Sequence, residues 1–237
     1  MKNNRLKMLS AGLLALAMNS PVHAALVGVV DQGTYFTDTS SGLDWLDVTA
    51  TVNRSYNDVS AKFGAGGEFE GWRYATAAEF GTMYDNTTGQ SLGINGPGQD
   101  RTGNYGNAIV ELISMFGDTL DTYYQHDYGQ DYCTYSGSCT PGALSYTLGY
   151  ISDFFSNFGG TYQHEALLWA NNDLQENGWV STGSLWSAPA LSSWDAGSYL
   201  VRETQAVRET QAVPEPGSLA LLGMGLAGFI FGRRKSS

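Results

Sequence analysis

Positive charge is scarce in this chain, with 12 Lys and Arg against 23 Asp and Glu. Half of the twelve lie near the ends, at Lys2, Arg5, Lys7, Arg233, Arg234 and Lys235. The body between them keeps only Arg54, Lys62, Arg73, Arg101, Arg202 and Arg208, which leaves it at about −17. Binding a phosphodiester backbone needs a basic face that can displace counterions, so nucleic acid is excluded as a partner. Such an acidic body favours solubility, and suits a divalent cation or a hydrated polysaccharide matrix. Histidine is equally sparse. Outside the first 24 residues only His126 and His164 occur, and His164-Glu165 lacks the second histidine of a zinc helix. Two cysteines, Cys133 and Cys139, are too few for a thiolate metal site, and their spacing is not that of a Cys-x-x-Cys redox pair. In an oxidising compartment they are expected to close a short local disulfide loop over Gly137.

Both ends of the chain argue for export. Lys2, Arg5 and Lys7 precede an apolar run from Met8 to Met18, and Val22-His23-Ala24 offers small residues for cleavage before Ala25. That pattern is a secretory signal peptide over residues 1–24. At the other end, Val213-Pro214-Glu215-Pro216 leads into an uncharged run, residues 217–232, that stops at Arg233-Arg234-Lys235. Prolines hold their segment extended and open to a protease. The apolar run predicts a short, Gly-rich transmembrane helix, and the basic cluster stops transfer on the cytoplasmic side. The three elements in this order closely resemble the PEP-CTERM sorting signal of Gram-negative bacteria, over residues 213–237. The resemblance implies an exosortase as processing partner, a membrane-anchored precursor, and a destination at the cell surface or extracellular matrix.

Residues 25–202 remain for one folded domain. Strands are expected over Ala25–Val30 and Gly33–Thr37, around an Asp31-Gln32-Gly33 turn, and over Gly42–Leu46. Ser55 and Asp58 have capping-box spacing ahead of a helix with Tyr56, Val59 and Phe63, and Gly64 to Gly67 ends it. Thr76 and Glu79 cap a second helix running to about Tyr84. Residues 86–103 read as a polar loop, and Gly106 to Phe116 as an amphipathic helix. Asp121 to Ser138 reads as a long surface loop carrying Tyr123, Tyr124, Tyr128, Tyr132 and Tyr135. Strands follow over 143–152, 165–170, 178–181 and 197–202. The hexapeptide from Arg202 to Val207 recurs as residues 208–213, so residues 203–213 read as a linker lengthened by duplication.

Gly42-Leu43-Asp44-Trp45-Leu46, the Ser55-capped helix and Gly71-Trp72-Arg73-Tyr74-Ala75-Thr76-Ala77-Ala78-Glu79 occur in a familiar order. So do Leu185-Trp186-Ser187 and Ser198 to Arg202 near the end. Together they resemble the C-terminal domain family of Legionella collagen-like protein, although Tyr74-Ala75 stands where that family has Leu-Pro. The resemblance implies an α+β, C-type-lectin-like domain, with small antiparallel sheets, two or three helices, and its first strand paired with its last. A C-terminal hydrophobic helix is added by the tail. Trp45, Trp72 and Trp186 are expected in the core, with Arg73 and Glu79 as a polar link beneath the second helix.

Chemistry is thin. Gly89-Gln90-Ser91-Leu92-Gly93 spells the nucleophile-elbow motif, but no apolar strand precedes it and no helix follows, so chance is the better reading. Asn171, Asn172 and Asp173 carry oxygen ligands of the kind calcium prefers, yet the companion Glu-Pro-Asn or Gln-Pro-Asp element is missing and a plain turn is expected. No catalytic residue, metal or cofactor is assigned. The best recognition residues are Tyr123, Tyr124, Tyr128 and Tyr132, whose rings could stack on sugars of a polysaccharide. The resulting expectation is a non-enzymatic surface or matrix protein, with a carbohydrate-binding module as the alternative.

Overall fold

The computed structural model describes residues 26–104, 106–137, 140, 144–157, 160–171, 177–183 and 186–204. The signal peptide, most of the linker, the sorting signal and the hydrophobic helix expected over 217–232 lie outside the described residues. Among those described, no helix is long and apolar enough to cross a membrane.

The architecture is mixed α+β, built on two sheets. The first begins as a meander, β1 (Val29–Asp31), β2 (Tyr35–Asp38) and β3 (Leu43–Leu46). Its first turn works as its sequence suggests. The Asp31 carboxylate accepts from the Gly33 backbone N–H at 2.7 Å, and Gly33 supplies a φ of 88°. Two more strands, β4 (Arg73–Tyr74) and the last strand of the fold, β11 (Leu200–Glu203), complete the order β1-β2-β3-β11-β4. The expected pairing of first and last strands is therefore corrected. β11 hydrogen-bonds β3 and β4, while β1 pairs only with β2 and stays at the margin of the sheet.

The second sheet contains β5 (Asp100–Asn104), β6 (Leu144–Asn157), β7 (Gly160–Asn171), β8 (Asn177–Ser181) and β10 (Gly197–Ser198), in the order β10-β6-β7-β8-β5. A short β9 (Trp186–Ser187) pairs with β7. β6 and β7 are longer than the alternation predicts, with a register irregularity between Tyr150 and Phe154. β5 falls inside the expected loop over 86–103, since Asp-Arg-Thr-Gly-Asn has little strand propensity and is held by the β8 ladder.

Among the described residues five α-helices form, against the two or three expected. α1 (Tyr56–Ser60) starts where the Ser55 hydroxyl accepts from the Asp58 N–H. α2 (Ala77–Thr88) opens on a full Thr76/Glu79 capping box and continues one turn past Tyr84, to a left-handed Gly89. α3 (Gly106–Phe116) has the expected bounds. α4 (Thr119–Tyr128) and α5 (Tyr132–Ser136) replace the expected loop over 121–138. Their caps explain the correction. Asp118 and Asp131 accept from the N–H groups of Asp121 and Thr134, and Gly129 and Gly137 end the two helices in the left-handed region. Tyr124 and Tyr128 are four apart, so they lie on one helical face.

The main core contains Phe36, Trp45, Phe80, Met83, Ile109, Leu112, Ile151, Leu168, Val180 and Val201. Phe116 sits among the rings of Phe36, Trp45 and Tyr199 in edge-to-face contacts, with centroids 4.9, 6.0 and 5.0 Å away. Trp72 belongs to a second cluster with Leu46, Val59, Phe69, Tyr74 and Leu200. Trp45 and Trp72 are thus core residues as expected, while the Trp186 side chain lies outside the described residues. The Arg73–Glu79 link is bidentate at 2.6 and 2.9 Å but sits at the surface, at the N-terminus of α2.

Arg202 on β11 is the more telling cation. Its guanidinium lies 4.4 Å from the Trp72 ring and 4.7 Å from the Tyr35 ring, and donates to buried Asp44 at 3.0 Å. Removing it leaves a carboxylate with 5% exposure facing no cation. Arg202→Ala should therefore cost about 3 kcal/mol in urea unfolding. A loss below about 0.5 kcal/mol would make the pair a surface contact in energetic terms.

Candidate functional site: an aromatic surface

The expected recognition residues form a compact cluster on α4 and α5. Tyr124 is its centre. Its ring stacks with Tyr128 at 5.4 Å and meets Tyr132 at 5.0 Å, Tyr135 at 5.3 Å and Tyr123 at 4.9 Å. Tyr128 and Tyr135 approach to 4.1 Å and remain 45% and 47% exposed. Cys133, on α5, is buried, whereas Cys139 lies outside the described residues.

The cluster is tied to the second sheet by backbone-directed contacts. Thr147 Oγ1 donates to the Gly117 carbonyl at 2.6 Å, and the Leu148 N–H donates to Thr119 Oγ1 at 3.0 Å. α4 therefore leaves from the free side of β6. From there the surface passes to Asp195, whose carboxylate accepts from Tyr146 Oη at 3.2 Å and also from the Ser193 hydroxyl. Next to it His126 stacks on Trp194, with centroids 3.6 Å apart. Tyr146, Trp169 and Trp179 stand directly opposite one another on β6, β7 and β8, and all three are half-buried. Tyr146, Trp169 and Trp179 were missed in the sequence reading. The signal lay in the alternation of Tyr146, Leu148 and Tyr150 and of Glu165, Leu167 and Trp169.

Acidic groups underlie the face. Burial pushes Glu165 up to about 6, and the Asp195 charge adds to this, while a hydrogen bond from Ser187 opposes it. Burial likewise raises Asp118 to about 6, against hydrogen bonds from the Asp121 and Tyr146 N–H groups.

The remaining sequence candidates are scattered. Ser91 lies in an exposed loop and donates to Asp85 at 3.0 Å. His164, on β7, has a buried Nδ1 that accepts and donates nothing, and burial lowers its basicity. Asn171 ends β7, but Asn172 and Asp173 lie outside the described residues. Among the described residues, no three His, Cys, Asp or Glu side chains gather as a metal site.

The comparisons bear on the tail. Residues 212–235 match the PEP-CTERM protein-sorting motif. This supports the reading of the chain as an exported protein, sorted to the surface through exosortase processing after a transient stay at the membrane. Val213, Pro214, Glu215 and Pro216 and the basic Arg233, Arg234 and Lys235 all fall within the matched residues or at their border. No curated protein and no solved structure matches the chain.

The raised Glu165 sets a pH dependence. A carboxyl that holds its proton more tightly when folded contributes stability that is full below its ordinary value of 4.5 and is lost as pH rises through about 6. Glu165→Gln should flatten the fall in unfolding free energy across that window by up to about 2 kcal/mol. An unchanged pH profile in the variant would place the titration elsewhere.

Proposed function

We propose that this chain is a non-enzymatic protein of the cell surface or extracellular matrix, delivered by exosortase cleavage of its C-terminal tail. The observation that carries the proposal is the ordered tail, an extended Pro-Glu-Pro segment, an apolar run and a basic stop, within a matched sorting motif. The body is proposed as a C-type-lectin-like domain. Its two small sheets, and a closing strand that returns to the N-terminal meander, support that reading. In the precursor, residues 217–232 hold the chain in the inner membrane with Arg233, Arg234 and Lys235 inside. Pro214-Glu215-Pro216 then faces the periplasm, and the duplicated linker keeps it clear of the folded body. A Cys133–Cys139 bridge would staple the short segment after α5 once the chain reaches an oxidising compartment.

Replacing Pro214-Glu215-Pro216 by three alanines should leave export intact and accumulate a full-length membrane-bound form. If that variant reaches the surface or medium as the native chain does, the tail is an anchor only and the sorting proposal fails.

A second reading, a carbohydrate-binding module of the exopolysaccharide matrix, is favoured by the tyrosine cluster on α4 and α5. Exposed rings at ordered positions present the flat apolar faces on which pyranoses stack, and tyrosine hydroxyls add hydrogen bonds at small entropic cost. Tyr124→Ala or Tyr128→Ala should abolish retention on a glycan array that binds the native protein. Retention unchanged in both variants removes the tyrosines from the reading.

A further inference from the structure

The second sheet carries an aromatic row that the tyrosine cluster alone does not account for. Cross-strand register puts Tyr146 opposite Trp169, Trp169 opposite Trp179, and Trp179 opposite Thr102 on the edge strand β5. Directly opposed residues share a face, so three rings succeed one another at intervals of about 4.8 Å. The opposite face of the same strands carries Ile151, Leu168 and Val180 in the main core, and the row face is itself buried at Leu148, Tyr150, Leu167 and Ser181, so the row lies at the margin of a covered face. Leu148, Leu167 and Ala196 form the apolar floor beside the row. The three rings are partly buried against that floor and keep one edge of the row open to solvent, where a flat apolar ligand can complete their burial.

The charge on this face narrows what can cover it. Tyr146 is hydrogen-bonded to Asp195, exposed Asp100 stands opposite Ser181 at the far end of the row, and Glu165 is buried beneath the same side of β7. No described lysine or arginine occupies a place in these rows. Arg101 alternates to the core side, opposite Val180, and donates to the Leu92 carbonyl at 2.8 Å. Arg54, Arg73 and Arg202 pair with carboxylates of the first sheet and its helices. An anionic polymer would meet carboxylates with nothing to neutralise it, whereas uncharged hydroxyls find acceptors along the row.

We propose that Tyr146, Trp169 and Trp179 form a binding strip for an uncharged, equatorially linked pyranose polymer, continued by Tyr124 and Tyr128. Equatorial linkage matters because such chains are flat ribbons with axial C–H bonds on each broad face, so one face can lie on the rings while the hydroxyls point sideways to Asp195 and Asp100. The strip rests on the carbohydrate-binding reading and gives that reading a substrate class and a longer footprint.

The test uses the full-length chain in detergent, titrated with cellohexaose as the neutral probe and polygalacturonate as the anionic one. Binding is followed by calorimetry and by tryptophan fluorescence. Cellohexaose should bind and quench the fluorescence, and polygalacturonate should neither bind nor compete. Trp179→Ala should weaken cellohexaose about tenfold or more. Trp179→Phe should restore most of the affinity. Thr102→Arg, at an exposed site beside the row, should weaken binding without any core change, which guards against a Trp179→Ala variant that misfolds. Native-like affinity in Trp179→Ala and Thr102→Arg overturns the strip. If Tyr128→Ala still loses binding in that case, the carbohydrate reading stands without it. Absence of cellohexaose binding in the native chain overturns the proposal, and preference for polygalacturonate overturns its charge argument.

Discussion

The fold depends on one stretch of backbone, Ala196 to Glu203, serving two sheets in succession. Gly197 and Ser198 pair with β6 in the second sheet, and Leu200 to Glu203 then enter the middle of the first. Tyr199 sits at the changeover, fully buried. Its N–H donates to Tyr150, its carbonyl accepts from Ala75, and its hydroxyl reaches the Thr147 carbonyl at 3.1 Å. One residue thereby satisfies three backbone partners from both halves of the molecule, where an unmet buried group would be costly. Close approach is required there. A side chain at Gly149 would collide with the Tyr199 ring, and one at Gly197 with the Val48 carbonyl.

How much of this was legible follows the range of the interactions involved. Local signals were read well. The Ser55 and Thr76 caps, the Gly33 turn and the stripe of Ile109, Leu112 and Phe116 each depend on residues a few positions apart. β5 was not legible, because a run of polar residues and glycine becomes a strand only through its ladder with β8. The tyrosine-rich segment was misread for a different reason. Its aromatic density obscured two helices whose Asp and Gly caps were present in the sequence at Asp118, Gly129, Asp131 and Gly137. The cluster of rings was thus found, but its rigidity was not. The meander offers two edges, β1 and β3, and which of them β11 joins is decided by tertiary packing.

Scarce positive charge is concentrated where the fold uses it. Arg54 bridges Asp58 and Glu68, Arg73 grips Glu79 at the start of α2, and Arg202 is held between two rings and Asp44. Each pairing lies on the first sheet or the helices beside it. The aromatic row of the second sheet has Asp195 beside it and Glu165 buried beneath it, so the two sheets differ in character: one is tied together by ion pairs, the other carries rings with no described cation in the row.

The place of β11 also decides how the molecule carries mechanical load. β11 ends at Glu203 and the sorting motif begins at residue 212, so a pull applied from the C-terminal side runs along β11. Because β11 lies between β3 and β4, its hydrogen bonds to both neighbours resist in shear and must yield together. A strand at the sheet margin, peeled from one side, would give way bond by bond. The closing strand is thus a stiff point of attachment for the body.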